Sequence, residues 1–227
     1  MKLIKFQNDT RRTFFAPTYE YFLGEDFITN IDFNDIRNLI LEQEKNILET
    51  YPTVNRSSVD GYTGLGDNSL TSRFDYFNLF SWEQNQLNML KREIFCKYRK
   101  FVSNFDFNPP KTWIKCWSNV MRAGEKINPH LHCVNGFTYI GGHVVVNCSN
   151  TSTFYMNPIN QINDPQTYES KNSIGKITFF QQNIPHYTNI HTSSDERITI
   201  AFDLVVDSYA SQETNLLPFD NGDFDEQ

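Results

Sequence analysis

The stretch Met121-Arg122-Ala123-Gly124-Glu125-Lys126-Ile127-Asn128-Pro129-His130-Leu131-His132 decides how this chain is read. Residues two apart on an extended strand point to the same face, so His130 and His132 present two imidazoles side by side, as a metal ion requires. Pro129 helps to hold the entry to the pair extended. A third ligand must then come from another strand, and His186 opens one directly after Pro185. All five histidines, His130, His132, His143, His186 and His191, lie in this half of the chain. Taken singly, His143 and His191 read as surface or hydrogen-bonded residues. A His-x-His pair also arises by chance, and only the residues around it can mark it as a metal site.

Around the pair the chain is written in short strands. Thr112 to Met121, His143 to Cys148, Ser152 to Met156, Lys176 to Phe180, His186 to His191 and Arg197 to Val206 carry β-branched and aromatic residues at strand lengths. Further upstream the period changes. Asp32 to Thr50 places Ile36, Leu39, Ile40, Ile47 and Leu48 on one helical stripe. A second helix is expected to open at Ser81, with Ser81 and Gln84 as a capping box and Leu87, Leu90, Ile94, Phe95, Tyr98, Phe101 and Val102 as its apolar stripe. Asn108-Pro109-Pro110 ends it. Phe14 to Leu23 reads as a strand, and the Gly/Ser/Asn-rich stretch from Pro52 to Ser72 as a loop. Within that loop Gly64-Leu65-Gly66 lacks the Gly-Lys-Ser/Thr of a phosphate cradle.

Helices followed by a run of strands predict a mainly β fold, an antiparallel core braced by N-terminal helices. Residues 1–214 form one domain in this reading, with 1–110 as support and 111–206 as the core, and 215–227 as a loose acidic tail. The long loop Asn157 to Ile174 is expected to be a lid or disordered.

Composition limits the partners. A net charge of −7 lacks the basic footprint of a general nucleic-acid binder or of a protein that docks on anionic membranes. No stretch approaches the roughly 20 consecutive apolar residues of a membrane span. Arg11-Arg12-Thr13-Phe14-Phe15 is not followed by an apolar export segment. Cys96, Cys116, Cys133 and Cys148 match no zinc-knuckle or Cys-x-x-Cys spacing and read as reduced thiols. A cytoplasmic protein is expected. Phe-rich strands permit a homodimer.

Gly124 lies six residues before His130, and Gly175 eleven before His186. Both spacings resemble the two signature motifs of cupins, which are double-stranded β-helices of the jelly-roll type. The cupin metal site is incomplete, because Asn135 and Gly136 occupy the region where its glutamate is expected and Gln181 and Asn183 replace its proline and glycine. The run from Met121 to His132 resembles more closely the approach to the His-x-Asp motif of prolyl-hydroxylase-like 2-oxoglutarate oxygenases. Those enzymes carry a distal histidine, an arginine about ten residues later and Ser or Thr two further, an order matched by His186, Arg197 and Thr199. Ser194 to Phe202, Trp117-x-Asn119 and the His-x-His pair resemble an oxygenase family common in marine phages and bacteria. The detailed resemblance covers roughly residues 111 to 206.

The resemblance implies an Fe(II)- and 2-oxoglutarate-dependent dioxygenase that hydroxylates an unactivated carbon while the cosubstrate is converted to succinate and CO2. It implies His130, His132 and His186 as metal ligands on one face of the iron. It also implies Arg197 and Thr199, on one strand face, as holders of the far carboxylate of 2-oxoglutarate, since a planar guanidinium fork suits a carboxylate. Ile198, Ile200 and Phe202 would point the other way into packing. Asn119, on the face of Trp117, is placed to contact cosubstrate or substrate, or to serve as a strand hydrogen bond. The departure is His132, which stands where the usual site has a carboxylate. Either His132 is a true ligand, or Glu125 or Asp203 completes the triad with His132 behind it. The substrate would be a small molecule or peptide. A cupin-like three-histidine metalloenzyme without 2-oxoglutarate, and a non-enzymatic jelly-roll structural or binding module, are the alternatives.

Overall fold

A computed structural model describes residues 1–7, 19–52, 60–132, 138–159, 166–212 and 214–220 of the 227-residue chain. In chain order its strands and α-helices are β1 (Lys2–Gln7), β2 (Glu20–Phe27), α1 (Phe33–Thr50), α2 (Asn85–Val102), β3 (Thr112–Met121), β4 (Thr138–Asn147), β5 (Ser152–Met156), β6 (Thr167–Lys171), β7 (Lys176–Gln181), β8 (His186–Thr188), β9 (Arg197–Val206) and β10 (Leu217–Phe219). The strands form an antiparallel major sheet in the order β1-β2-β7-β4-β9-β3-β10 and a minor sheet in the order β6-β5-β8.

The period-2 pattern of β9 separates two environments. Ile198, Ile200, Phe202 and Leu204 are fully buried in the larger apolar core, which also takes in the stripe of α2 and Ile36, Ile40 and Ile47 of α1, with Leu39 and Leu48 half-buried against it. Arg197, Thr199, Ala201 and Asp203 line a cavity on the opposite face. The helices therefore brace one side of the major sheet, and Phe101 of α2 stacks on Phe179 of β7 at 5.7 Å between ring centres. Between the sheets a smaller cluster of Phe6, Leu23, Tyr155, Phe180 and Ile184 closes the other side.

Local chemistry accounts for the helices. Asp32 caps α1 by accepting from the backbone N–H groups of Asn34 and Asp35 at 3.0 and 3.2 Å. All seven residues of the expected α2 stripe are buried. The helix, however, begins at Asn85 and has no side-chain cap. Ser81 is not its N-cap, because its hydroxyl donates to the Asn78 carbonyl at 2.7 Å and closes a separate short turn.

Several strands differ from their expected bounds. Thr112–Met121, Ser152–Met156 and Arg197–Val206 form as expected, and β8 stops at Thr188. β4 begins five residues before His143, through Gly141 and Gly142, a pair that disguises a strand in sequence. Its tertiary reason is space. A Cβ on Gly142 would lie 2.2 Å from the Phe202 ring, and one on Gly141 2.6 Å from the Phe180 ring. The expected loop Asn157 to Ile174 contains β6, paired along its length with β5. Part of the expected tail is also structured, since Leu217–Phe219 pairs with Thr112–Ile114. β1, for which the sequence suggested no element, is the edge strand against β2. The start of the strand expected at Phe14, Cys133 and the rest of the tail lie outside the described residues.

Candidate metal centre and cavity

The third imidazole reaches the His-x-His pair through the backbone. His130 forms an antiparallel bridge with His186, in which the two N–H groups donate to each other's carbonyl at 3.1 Å. Ring centres are then 4.2 Å apart for His130 and His186, 5.1 Å for His132 and His186, and 5.6 Å for His130 and His132. One ring nitrogen from each lies within 4.8 Å of the others. This is the grouping expected from sequence, and neither alternative carboxylate joins it. Glu125 instead accepts from the backbone N–H of Arg122 at 2.6 Å, closing its own turn.

Hydrogen bonds set the orientation of each ring. Nδ1 of His130 lies 2.9 Å from the Asn128 carbonyl, and Nδ1 of His186 lies 3.2 Å from that of Ile184. A carbonyl only accepts, so each bond requires the proton on Nδ1 and leaves the Nε2 lone pair for a metal. Nδ1 of His132 lies 2.5 Å from Oδ1 of Asp203, and an ionised carboxylate only accepts, so this bond too takes the proton of Nδ1. Burial, reinforced by His132, depresses the His130 pKa to about 4. Burial depresses that of His186 well below the usual histidine range. Both rings are therefore neutral at neutral pH, the form that ligates a metal. Phe180 packs against His132 and His186, with Tyr155 behind His186, so the cluster sits in an apolar wall.

The cluster opens on a cavity of about 240 Å³ whose lining also includes Arg197, Thr199 and Asn119. Arg197 is 2% exposed. Its neighbours are neutral: Met121 Sδ and Thr153 Oγ1 each lie at 3.4 Å, and the Asn172 amide, turned with its oxygen inward, accepts at 3.3 Å. Among the described residues no carboxylate pairs with it. Burial lowers its pKa to about 10, so it remains a cation at neutral pH. Thr199 stands opposite Asn119 of β3 and Val145 of β4. Asn119 Oδ1 accepts from the Thr71 hydroxyl at 2.6 Å, which gives it a structural bond within the cavity wall.

Sequence reasoning missed other lining residues, Thr71, Thr153 and His143 among them. Thr71 comes from the region read only as loop, and Thr153 from β5. His143 is buried beside Tyr155, whose ring lies nearly parallel to its own, and burial takes its pKa down to about 3. The signal for His143 was its strand register: it opposes Ala201, on the same face of β9 as Arg197 and Thr199. His191 is fully buried and hydrogen-bonded to the Asp195 carbonyl at 2.5 Å, away from the cavity.

By sequence, the chain matches no protein-family model and no curated protein. Its fold does resemble solved structures. A non-heme alpha-ketoglutarate-dependent carbocyclase of nogalamycin biosynthesis, SnoK, aligns with a TM-score of 0.56 at 9% identity over 87% of each chain. A prolyl hydroxylase from Trichoplax adhaerens, solved with a peptide fragment of hypoxia inducible factor, aligns with a TM-score of 0.51 at 11% identity, covering 85% of this chain and 88% of that one. A Pseudomonas putida prolyl-4-hydroxylase aligns at 0.50 and 10% identity, covering 81% and 87%. At such identities the likeness shows the fold alone, the double-stranded β-helix. Its chemistry has to be argued from the site.

Proposed function

We propose that this protein is an Fe(II)- and 2-oxoglutarate-dependent oxygenase. The observation that carries the reading is the buried cation of Arg197, unpaired by any described carboxylate, on the same cavity as three convergent imidazoles. Burying an unpaired charge costs several kcal/mol even after relaxation. Such a cost is offset when an anionic ligand completes the pair, and the guanidinium fork selects a carboxylate.

The donor set fits iron, with three neutral nitrogen ligands that leave coordination positions open toward the cavity. In this reading His130, His132 and His186 hold Fe(II), while Arg197 and Thr199 bind the far carboxylate of 2-oxoglutarate. Bound there, the iron and cosubstrate supply the oxidising chemistry, in which dioxygen oxidises a substrate carbon as 2-oxoglutarate loses CO2 to give succinate. The chain itself binds, orients and shields. Phe180, Tyr155 and Trp117 keep water from the metal side of the cavity. Protein acids or bases are not required. The substrate would be a small molecule or peptide, and Asp60 and Phe74 also line the cavity that would receive it.

The test is an anaerobic titration of Fe(II)-loaded protein with 2-oxoglutarate, following the visible metal-to-ligand charge-transfer band in wild type and Arg197→Ala. A band that forms in wild type and weakens in the variant is expected. The three-imidazole set also suits a second reading, a cupin-like metalloenzyme without cosubstrate. Iron binding with no band would favour it, and absence of iron binding would leave a structural barrel.

A further inference from the structure

Among the three clustered rings, His132 alone has an anion behind it. His130 and His186 direct Nδ1 at backbone carbonyls, whereas His132 directs it at the Asp203 carboxylate 2.5 Å away. We infer that Asp203 is a positioning residue that locks the His132 ring and returns to the metal centre, one hydrogen bond removed, the negative charge that a directly bound carboxylate would bring. This inference rests on the reading of the three histidines as ligands.

Charge counting motivates it. Three neutral imidazoles leave Fe(II) with two positive charges, while two imidazoles and a carboxylate leave one. Including Asp203 restores the lower value without placing oxygen on the metal. The side chains of His132 and Asp203 are only 6% and 14% exposed, so solvent screens the carboxylate weakly. An anion on the far nitrogen of a ligating imidazole also fixes the tautomer and raises ligand basicity.

The fold is shaped for this pair. Asp203 opposes Gly141 on β4, and a Cβ on that glycine would stand 2.9 Å from Nδ1 of His132. The empty volume of Gly141 is what lets the ring lie against the carboxylate. On its other side Asp203 opposes Lys115, whose ammonium is bonded to Asp75 at 2.6 Å. Asp203 lies behind the ring, on the side away from the nitrogen left for the metal, and is not one of the three clustered ligands.

Anaerobic Fe(II) titration by calorimetry, with the Fe(III)/Fe(II) midpoint potential from spectroelectrochemistry, tests the assignment in wild type, Asp203→Asn, His132→Asp and the double variant. Asp203→Asn keeps shape and an acceptor while removing the charge. It is expected to weaken Fe(II) binding about 10- to 100-fold, the usual effect of losing such a partner, and to raise the midpoint potential. In the His132→Asp background, where a carboxylate is already on the metal, Asp203→Asn should leave affinity unchanged or tighter. Equal losses in both backgrounds would reduce Asp203 to a structural residue and overturn the inference. So would an unchanged potential in Asp203→Asn, a readout that decides even where His132→Asp holds no iron. Wild-type protein that binds no iron would overturn the ligand reading itself, so the two failures are distinguishable.

Discussion

His130 and His186 are joined by their main chains, each N–H donating to the other's carbonyl at 3.1 Å across an isolated bridge. The backbone thus sets the distance between two candidate ligands before either side chain contributes. Pro129 and Pro185 precede them symmetrically, each leaving its histidine as the first residue able to donate a backbone bond there.

Because that bridge is made of main-chain groups, His130→Ala and His186→Ala should retain the fold and lose the metal. Fe(II) affinity, measured calorimetrically, is expected to fall by more than the roughly 10- to 100-fold that losing an outer partner of a ligand costs. His132→Ala belongs to the same series. Unchanged affinity there would sink the three-histidine centre.

Arg197→Met should separate stability from function. It replaces a buried cation that has no carboxylate partner among the described residues with an apolar chain of comparable length, so the metal-free protein should be as stable or more stable, by up to roughly 1–4 kcal/mol on the scale of buried-charge replacements. Binding of 2-oxoglutarate should be lost. Arg197→Lys keeps a charge but loses the planar fork, so it should bind the cosubstrate more weakly than wild type. Urea denaturation and the charge-transfer titration read the two effects; a strongly destabilised Arg197→Met would mark the guanidinium as structural.

Adjacent glycines on β4 should fail in different ways. Gly141→Ala would push on the Phe180 ring and Nδ1 of His132, whereas Gly142→Ala would push on Phe202 in the helix-facing core. Each should cost about 1–3 kcal/mol of stability through overpacking. Only Gly141→Ala should also lower Fe(II) affinity of the folded protein. Equal metal binding in both would contradict the role of Gly141.

The buried histidines predict an acid-labile apo-protein. His130 and His143 have folded-state pKa values near 4 and 3, below an unfolded value of about 6.5, and His186 is shifted in the same direction. Between those values the unfolded chain takes up protons that the folded chain does not, so stability falls as pH drops from 6.5 toward 3–4. Above 6.5 these groups contribute no slope. Thermal melts across pH 4–8 should show that profile, and His143→Leu should flatten it; an unchanged slope would mean His143 titrates normally in the fold.

Much of this protein was legible locally. The α2 stripe is buried residue for residue because a helix facing a sheet must repeat its apolar positions at its own period. On β9 the alternation of Arg197, Thr199, Ala201 and Asp203 with Ile198, Ile200, Phe202 and Leu204 already separates cavity from core. The His-x-His grouping was legible from its spacing, although the structure holds His130 on an isolated bridge and His132 in a bend rather than on the expected strand. Ser81 misled because a cap pattern does not record which carbonyl its hydroxyl will meet. β4 was cut short because Gly141 and Gly142 depress strand propensity, and the Phe180, Phe202 and His132 rings that require them come from distant parts of the chain.

What the sequence by itself determined is therefore the periodicities: which faces are apolar, which residues share a face, and where three imidazoles and an arginine stand in order. Tertiary structure alone decided that His186 bridges to His130, that Asp203 rather than a carbonyl backs His132, and that Arg197 is buried without a described carboxylate partner. Those relations depend on strand order and register, and order and register are settled by packing between residues as far apart as His132 and Asp203, which no local pattern encodes.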